Sequence, residues 1–105
     1  MAAALPFVVY STCSEVTVRY QDWEPLYASL QALKAHVQEY PGCEGFDVFF
    51  SETGGQATYE IHCYTTWDTL AQLEAFLERG YTFERMLVDV AGITAQPTLV
   101  MEKVF

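Results

Sequence analysis

The stretch EGFDVFFSETGGQATYEIHCYTTW, residues 44–67, decides the fold of this 105-residue chain. Apolar residues alternate with other residues along 44–52, which is the period-two pattern of a β-strand. Thr53-Gly54-Gly55 is a hairpin-turn signal, and residues 56–67 alternate again. The stretch therefore predicts two consecutive strands, each with two distinct faces.

The residues before this hairpin predict a strand and then a helix. Residues 7–20 are rich in Val, Thr, Tyr and Phe and predict a long first strand. Asp22 is a suitable N-cap, and Pro25 is tolerated in the first turn of a helix. Apolar residues then recur at helical spacing at Trp23, Leu26, Tyr27, Leu30, Leu33 and Val37. Tyr40-Pro41-Gly42 predicts the end of this helix, because proline cannot continue it and glycine accepts a left-handed conformation.

The residues after the hairpin predict a second helix, a short third helix and a last strand. Asp68 is the expected cap of the second helix, which ends at Arg79-Gly80. Its expected apolar stripe consists of Leu70, Leu73, Phe76 and Leu77. Thr82 is the expected cap of a short helix that stops near Gly92, and residues 97–105 predict the final strand.

This order of elements predicts an α+β, ferredoxin-like βαββαβ fold in one domain over residues 1–105. Such a fold has an antiparallel four-stranded sheet with both main helices on one face. Phe49 and Tyr64 place apolar surface on the other face, which a monomer rarely exposes over a large area. We therefore expect a homodimer in which two such faces pack together.

Composition narrows the partners and the compartment. Five Lys and Arg against fourteen Asp and Glu give a formal charge of -9, which disfavours nucleic acid. Residues 1–6 have no basic residue and no apolar segment long enough for a signal peptide, and no apolar run is long enough to span a membrane, so we expect a cytoplasmic protein without membrane contact. Cys13, Cys43 and Cys63 are too few and too far apart for a disulfide framework or a zinc site, and we expect buried thiols rather than a catalytic one.

Two residues stand out as candidates for chemistry. His62 shares a strand face with Glu60 and Tyr64, so a carboxylate could orient its imidazole as a catalytic base, or the group could be a polar cluster at a dimer interface. Trp67 ends the same strand, where its ring could line a cavity between sheet and helices or pack in the core. His36 is expected at the surface. No further set of residues has ligand spacing, so no metal site is predicted.

Three segments give the chain a family resemblance: YPGCEGFDVF at residues 40–49, the strand ending at Trp67, and the helix of residues 69–77 followed by GYTF at 80–83. Together they resemble the antibiotic biosynthesis monooxygenase domain, a family of dimeric α+β barrels, over residues 7–104. The resemblance implies a pocket between sheet and helices in each subunit. Some members of the family oxidise quinols or phenols with molecular oxygen and no metal or flavin, and others degrade haem.

The sequence departs from the family pattern at several functional positions. Thr65 stands where a glutamate is usual, Phe76 where the helix histidine falls, and Thr82 where the later histidine falls. The strand-one asparagine of the haem-degrading members falls near Ser11 or Cys13. Without an axial histidine, the haem-degrading interpretation loses its main support.

The resemblance therefore implies a monooxygenase that needs no cofactor and acts on a small aromatic or quinol-type compound. The alternative is a non-catalytic dimeric protein that binds a small ligand or has an accessory function. His62 and Trp67 are the predicted catalytic residues. The predicted substrate-binding residues are Ser11, Tyr59, Tyr64, Trp67, Phe76 and Phe83.

Overall fold

Four antiparallel strands form one sheet in the order β2-β3-β1-β4. The computed structural model describes residues 9–52, 55, 57–91 and 97–104. The strands are β1 (Tyr10–Arg19), β2 (Cys43–Glu52), β3 (Thr58–Trp67) and β4 (Leu99–Glu102). The helices are α1 (Trp23–Gln38), α2 (Leu70–Arg79) and α3 (Phe83–Ala91). The predicted ferredoxin-like architecture is confirmed, and among the described helices none is long and apolar enough to cross a membrane.

The predicted strand ends differ from the observed ones mainly at the chain termini. β2 and β3 pair along their length, from Cys43 opposite Trp67 to Glu52 opposite Tyr59, as the hairpin pattern predicts. β4 is shorter than the predicted strand 97–105, because it pairs only with the first four residues of β1. Several predicted positions lie outside the described residues: Phe7, Val8, Thr53, Gly54, Gln56, Gly92 and Phe105.

Of the three predicted helix caps, Asp68 is wrong, whereas Asp22 and Thr82 lie where they were predicted. Asp22 is the N-cap residue of α1 and the last residue of a short 3-10 turn, Tyr20–Asp22. Its side chain makes no cap bond, because its backbone angles are helix-like and its carboxylate accepts from Arg19 Nε at 3.1 Å. Thr69, not Asp68, caps α2, since its backbone is extended and its hydroxyl accepts from the backbone N–H of Gln72 at 3.2 Å. The Thr82 cap of α3 is confirmed by a 3.3 Å bond from the Arg85 amide.

The helices cover one face of the sheet, and the core lies between them. The largest fully buried side chains are Trp67, Leu26, Leu33, Ile61, Leu73, Met86 and Leu87. Leu70, expected in the α2 stripe, is 39% exposed, because the inward side of that helix is formed by Leu73 and Phe76. We call this side of the sheet the covered face and the opposite side the open face.

The connection between α2 and α3 requires a residue without a Cβ at position 80, and Gly80 meets this requirement. Gly80 is buried and has an ordinary φ of -82°, so its backbone angles do not require glycine. A Cβ there would lie 2.4 Å from Phe76 Cδ1 and 2.7 Å from the Phe76 carbonyl oxygen. The backbone oxygen cannot move without distorting the last turn of α2.

We expect Gly80→Ala to lower the free energy of unfolding by about 1–3 kcal/mol, since it overpacks the space beside Phe76. Urea denaturation followed by circular dichroism would measure the change. Gly45→Ala is the matched control, because the nearest atom to its added Cβ is 3.7 Å away. Equal stability of the Gly80 and Gly45 variants would contradict the steric explanation.

Candidate functional site

Hydroxyl groups line one end of the covered face, whereas the rest of the core is apolar. The inward residues of β1 are Thr12 and Ser14 at this end and Val16 and Val18 at the other. Hydroxyls from β3, from the residue before α3 and from the residue before β4 complete the lining. We call this space the hydroxyl chamber, and its hydroxyl-bearing residues are Thr12, Ser14, Thr65, Thr82 and Thr98.

The indole N–H of Trp67 is tied into this chamber. Trp67 is fully buried and donates from Nε1 to Thr65 Oγ1 at 2.8 Å. Thr65 Oγ1 is also hydrogen-bonded to Thr12 Oγ1 on the neighbouring strand. The Phe76 ring stacks on Trp67 with centroids 5.0 Å apart. The indole is thereby held by one hydrogen bond and one ring contact.

A second chain of hydrogen bonds leads from the chamber to a carboxylate. Both the amide and the hydroxyl of Thr98 donate to Glu84 Oε1. Because the single Thr98 hydroxyl proton is used in that bond, Ser14 Oγ must donate to Thr98 Oγ1 at 2.9 Å. Among the hydrogen bonds of the described residues, Glu84 supplies the carboxylate that reaches a chamber hydroxyl.

The chamber has little free space. Its volume is about 20 Å³, which is enough for about one water molecule. Its other walls include Phe46, Phe76 and Phe83. Cys63 also lines it, and burial raises the pKa of this thiol to about 12, so the thiol stays protonated near neutral pH and is not an activated nucleophile.

Three of the residues predicted to form the site lie together at this end. Trp67, Phe76 and Phe83 are all buried on the covered face. Phe76 and Phe83 line the chamber directly, while Trp67 contacts it through Thr65. Their functional roles remain predictions.

The structure places His62, Tyr64 and Ser11 on the open face, away from this group. Successive side chains of a strand point to opposite faces, so His62 and Tyr64 cannot share a face with Trp67. The two nitrogens of His62 face carboxylates instead: Nε2 lies 2.9 Å from Glu60 Oε1 and Nδ1 lies 3.8 Å from Glu15 Oε2. Among the described residues these three side chains form the group that brings potential metal-ligand atoms within 4.8 Å of one another.

The open face is also partly apolar, as the sequence predicts. Phe49 is 60% exposed and packs edge-on against Tyr64 with ring centroids 5.8 Å apart. Tyr64 lies opposite Cys13 on β1, and a hydrogen bond between their side chains raises the pKa of the tyrosine. Leu99 and Met101 of β4 pair with this part of β1 and are exposed. Ser11 Oγ donates to the Thr65 carbonyl at 2.7 Å.

Tyr59 is on the covered face but at its far end. Its ring lies 5.6 Å from Trp23 and 5.2 Å from Phe50, at the opposite end of β3 from the chamber. His36, expected at the surface, is half-buried, and its Nε2 accepts from the Tyr81 amide at 3.0 Å. That bond ties α1 to the α2–α3 connection.

Sequence reasoning missed most of the hydroxyl chamber. One signal was present: Thr12 and Ser14 stand at positions that alternate in phase with Val16 and Val18, where a core residue is expected. Glu84 and Thr98 gave no such signal, because they are 14 positions apart and no periodic pattern between them would bring them together.

Comparison with known proteins supports the fold. No protein-family model matches the chain, and no curated protein is similar enough to be matched. Among solved structures, a protein from Nitrosomonas europaea provisionally named an antibiotic biosynthesis monooxygenase is 16% identical and has a TM-score of 0.65, with 96% of this chain and 93% of that chain covered.

Two further structures show the same architecture. A dimeric ferredoxin-like protein from an uncultured marine organism is 16% identical, covers 94% of this chain and 97% of its own, and has a TM-score of 0.68. A heme-degrading protein from Mycobacterium tuberculosis is 16% identical and has a TM-score of 0.61, with 92% of this chain and 95% of that chain covered. The chain thus has the ferredoxin-like fold of proteins named antibiotic biosynthesis monooxygenases, in agreement with the resemblance drawn from its sequence.

We expect Thr65→Val to lower the free energy of unfolding by about 1–3 kcal/mol, because the buried Trp67 N–H and the Thr12 hydroxyl lose a common partner. Urea denaturation would measure it. The neighbouring Thr66→Val, on the open face, is the control and should change stability by less than about 0.5 kcal/mol. A similar loss in both variants would mean that the hydrogen bonds of Thr65 are not what stabilises this end of the core.

Proposed function

We propose that the chain is a monooxygenase that binds a small planar phenol or hydroquinone at the hydroxyl chamber and oxidises it with molecular oxygen. The observation that carries this proposal is the concentration of five hydroxyl residues at one end of an otherwise apolar core. Buried hydroxyls generally stabilise a fold less than well-packed alkyl groups, so their concentration at one place points to a binding role. Phenolic oxygens are suitable partners for such hydroxyls.

The side chains around the chamber suit this class of ligand. Thr12, Ser14 and Thr65 offer hydroxyls that both donate and accept, so they can exchange their present bonds for bonds to a phenol. The rings of Phe46, Phe76 and Phe83 provide apolar surface for a flat molecule.

The proposed reaction needs no reductant besides the substrate. A hydroquinone and one oxygen molecule form a hydroxyquinone and one water: a ring C–H becomes C–OH, both phenolic O–H groups become carbonyls, and four electrons pass to oxygen. Removal of a phenolic proton makes the ring a better electron donor. The Ser14–Thr98–Glu84 chain offers a path for that proton to a carboxylate.

A specific observation favours a second candidate, a non-catalytic protein that has an accessory function or binds its small ligand outside the chamber. The chamber of about 20 Å³ is far smaller than the roughly 300 Å³ or more of typical ligand pockets. Binding of a phenol therefore requires movement of the chamber walls, such as Phe83 and the start of α3. A chamber that does not open would support only the non-catalytic function.

Oxygen uptake with a panel of hydroquinones, in buffer containing a chelator and no flavin, separates the two candidates. We expect Glu84→Gln to lower kcat by about 100-fold or more with little change in KM, since glutamine retains an acceptor oxygen but takes no proton. Glu74→Gln, on the exposed side of α2, is the control. Absence of uptake by the wild-type chain would reject the oxygenase, and full activity of the Glu84 variant would reject the proton path.

We further propose that the chain forms a homodimer through its open face. Phe49, Leu99 and Met101 are exposed there although they are apolar, and Phe49 and Leu99 are each about 60% exposed. Packing of two such faces would remove this surface from water. The dimeric ferredoxin-like protein of similar fold supports this arrangement.

Two adjacent phenylalanines provide the test of the dimer. Phe49 points to the open face and Phe50 to the covered face, since they are consecutive residues of β2. Size-exclusion chromatography with light scattering should show a dimer for the wild type and for Phe50→Asp, and a monomer for Phe49→Asp. A monomeric wild type, or a dimeric Phe49 variant, would contradict the proposed interface.

A further inference from the structure

A second cavity lies between α1 and the edge strand β2, outside the hydroxyl chamber and on the opposite side of β2 from Phe49. Its volume is about 350 Å³, within the range of small-molecule sites. We call it the aromatic groove and define it by Trp23, Tyr27, Gln31, Lys34, Phe46 and Phe50. Phe46 is the one residue of this set that also lines the chamber.

The groove exposes large aromatic rings in a fixed arrangement. Tyr27 is 51% and Phe50 is 55% exposed, although both are apolar enough to join a core. The Trp23 ring lies 5.7 Å from Tyr27 and 5.2 Å from Phe50 by centroid distance. Tyr59 packs behind Trp23 and Phe50, which limits the movement of both rings. Contiguous exposed apolar surface of this kind marks binding sites.

The groove carries a single charge, and that charge is positive. Lys34 is the one ionisable cation among the groove residues, and the chain has only five Lys and Arg in total. Lys34 follows Gln31 by three residues and Tyr27 by seven, so all three lie along one side of α1. Within the described residues Lys34 makes no ion pair or hydrogen bond. Its ammonium group is therefore free to pair with an anionic ligand.

The overall charge of -9 does not prevent this pairing. Exposed charges more than about 8–10 Å apart are largely screened at physiological ionic strength, so the nearest charge dominates. No carboxylate is among the groove residues.

We propose that the aromatic groove binds a planar aromatic anion, such as an aryl carboxylate, with its ring against Trp23, Tyr27 and Phe50 and its anionic group at Lys34. Gln31 can add an amide hydrogen bond to the anion. This proposal does not rest on the proposed oxygenase activity, because none of the side chains proposed to contact the anion lines the hydroxyl chamber.

Titration with 2-naphthoate, and with the uncharged 2-naphthalenemethanol as its neutral analogue, tests the proposal. Calorimetry or the fluorescence of Trp23 would report binding. We expect Lys34→Met to weaken 2-naphthoate binding by about three- to fivefold and to leave the neutral analogue unchanged, as the loss of one exposed charge pair implies. Lys103→Met, on the exposed segment after β4, is the matched control and should bind like the wild type.

The two adjacent phenylalanines of β2, Phe49 and Phe50, locate the site. Phe50→Ala should weaken the binding of both compounds, whereas Phe49→Ala should leave the binding of both unchanged. Thr65→Val should also retain binding, which separates this site from the hydroxyl chamber. Absence of wild-type binding, equal loss with Phe49→Ala, or an unchanged affinity of the Lys34 variant would each overturn the proposal. Displacement of the naphthoate as protein concentration rises would show that a second copy of the chain covers the groove, and would overturn it too.

Discussion

The buried indole N–H of Trp67 imposes the polar character of one end of the core. A fully buried donor must find an acceptor, and Thr65, two residues earlier on the same face of β3, supplies it. Thr65 in turn pairs with Thr12 across the strands. Stacking of Phe76 on the indole then sets where α2 lies, and Gly80 allows the chain to pass behind that ring. The hydroxyls of Thr65 and Thr12 thus follow from the need of the buried Trp67 N–H for a hydrogen-bond acceptor.

The alternation of β2 and β3 separates the surfaces of the protein. Residues of odd number in β3 face the helices, while His62 and Tyr64 face the open side. β2 divides its two adjacent phenylalanines in the same way. Because one strand position separates the two faces, the proposed dimer surface, the chamber and the aromatic groove can be altered one at a time by single substitutions.

Much of the fold could be predicted from local patterns, because alternation, helical spacing and turn residues act over a few residues. The limits of α1, β2 and β3 follow these patterns closely. Asp68 does not cap α2, and Asp22 stands at the N-cap position of α1 without a side-chain cap bond, because capping depends on backbone angles that a residue type does not specify. The residues predicted to form one site lie in three separate places in the structure, and the reason is simpler. His62, Tyr59 and Trp67 were chosen by residue chemistry, although strand geometry places them on different faces or at different ends.

The sequence by itself determined the order of elements, the two faces of the central strands and the apolar surplus on the open face, since each depends on residues close together in the chain. Only the tertiary structure decided which hydroxyls meet, that Glu84 reaches the chamber through Thr98, and that Lys34 stands at the aromatic groove. Thr98 is 84 residues from Ser14, and β2 meets α1 only through folding. Contacts of that kind depend on how sheet and helices pack together, which no local pattern of residues records.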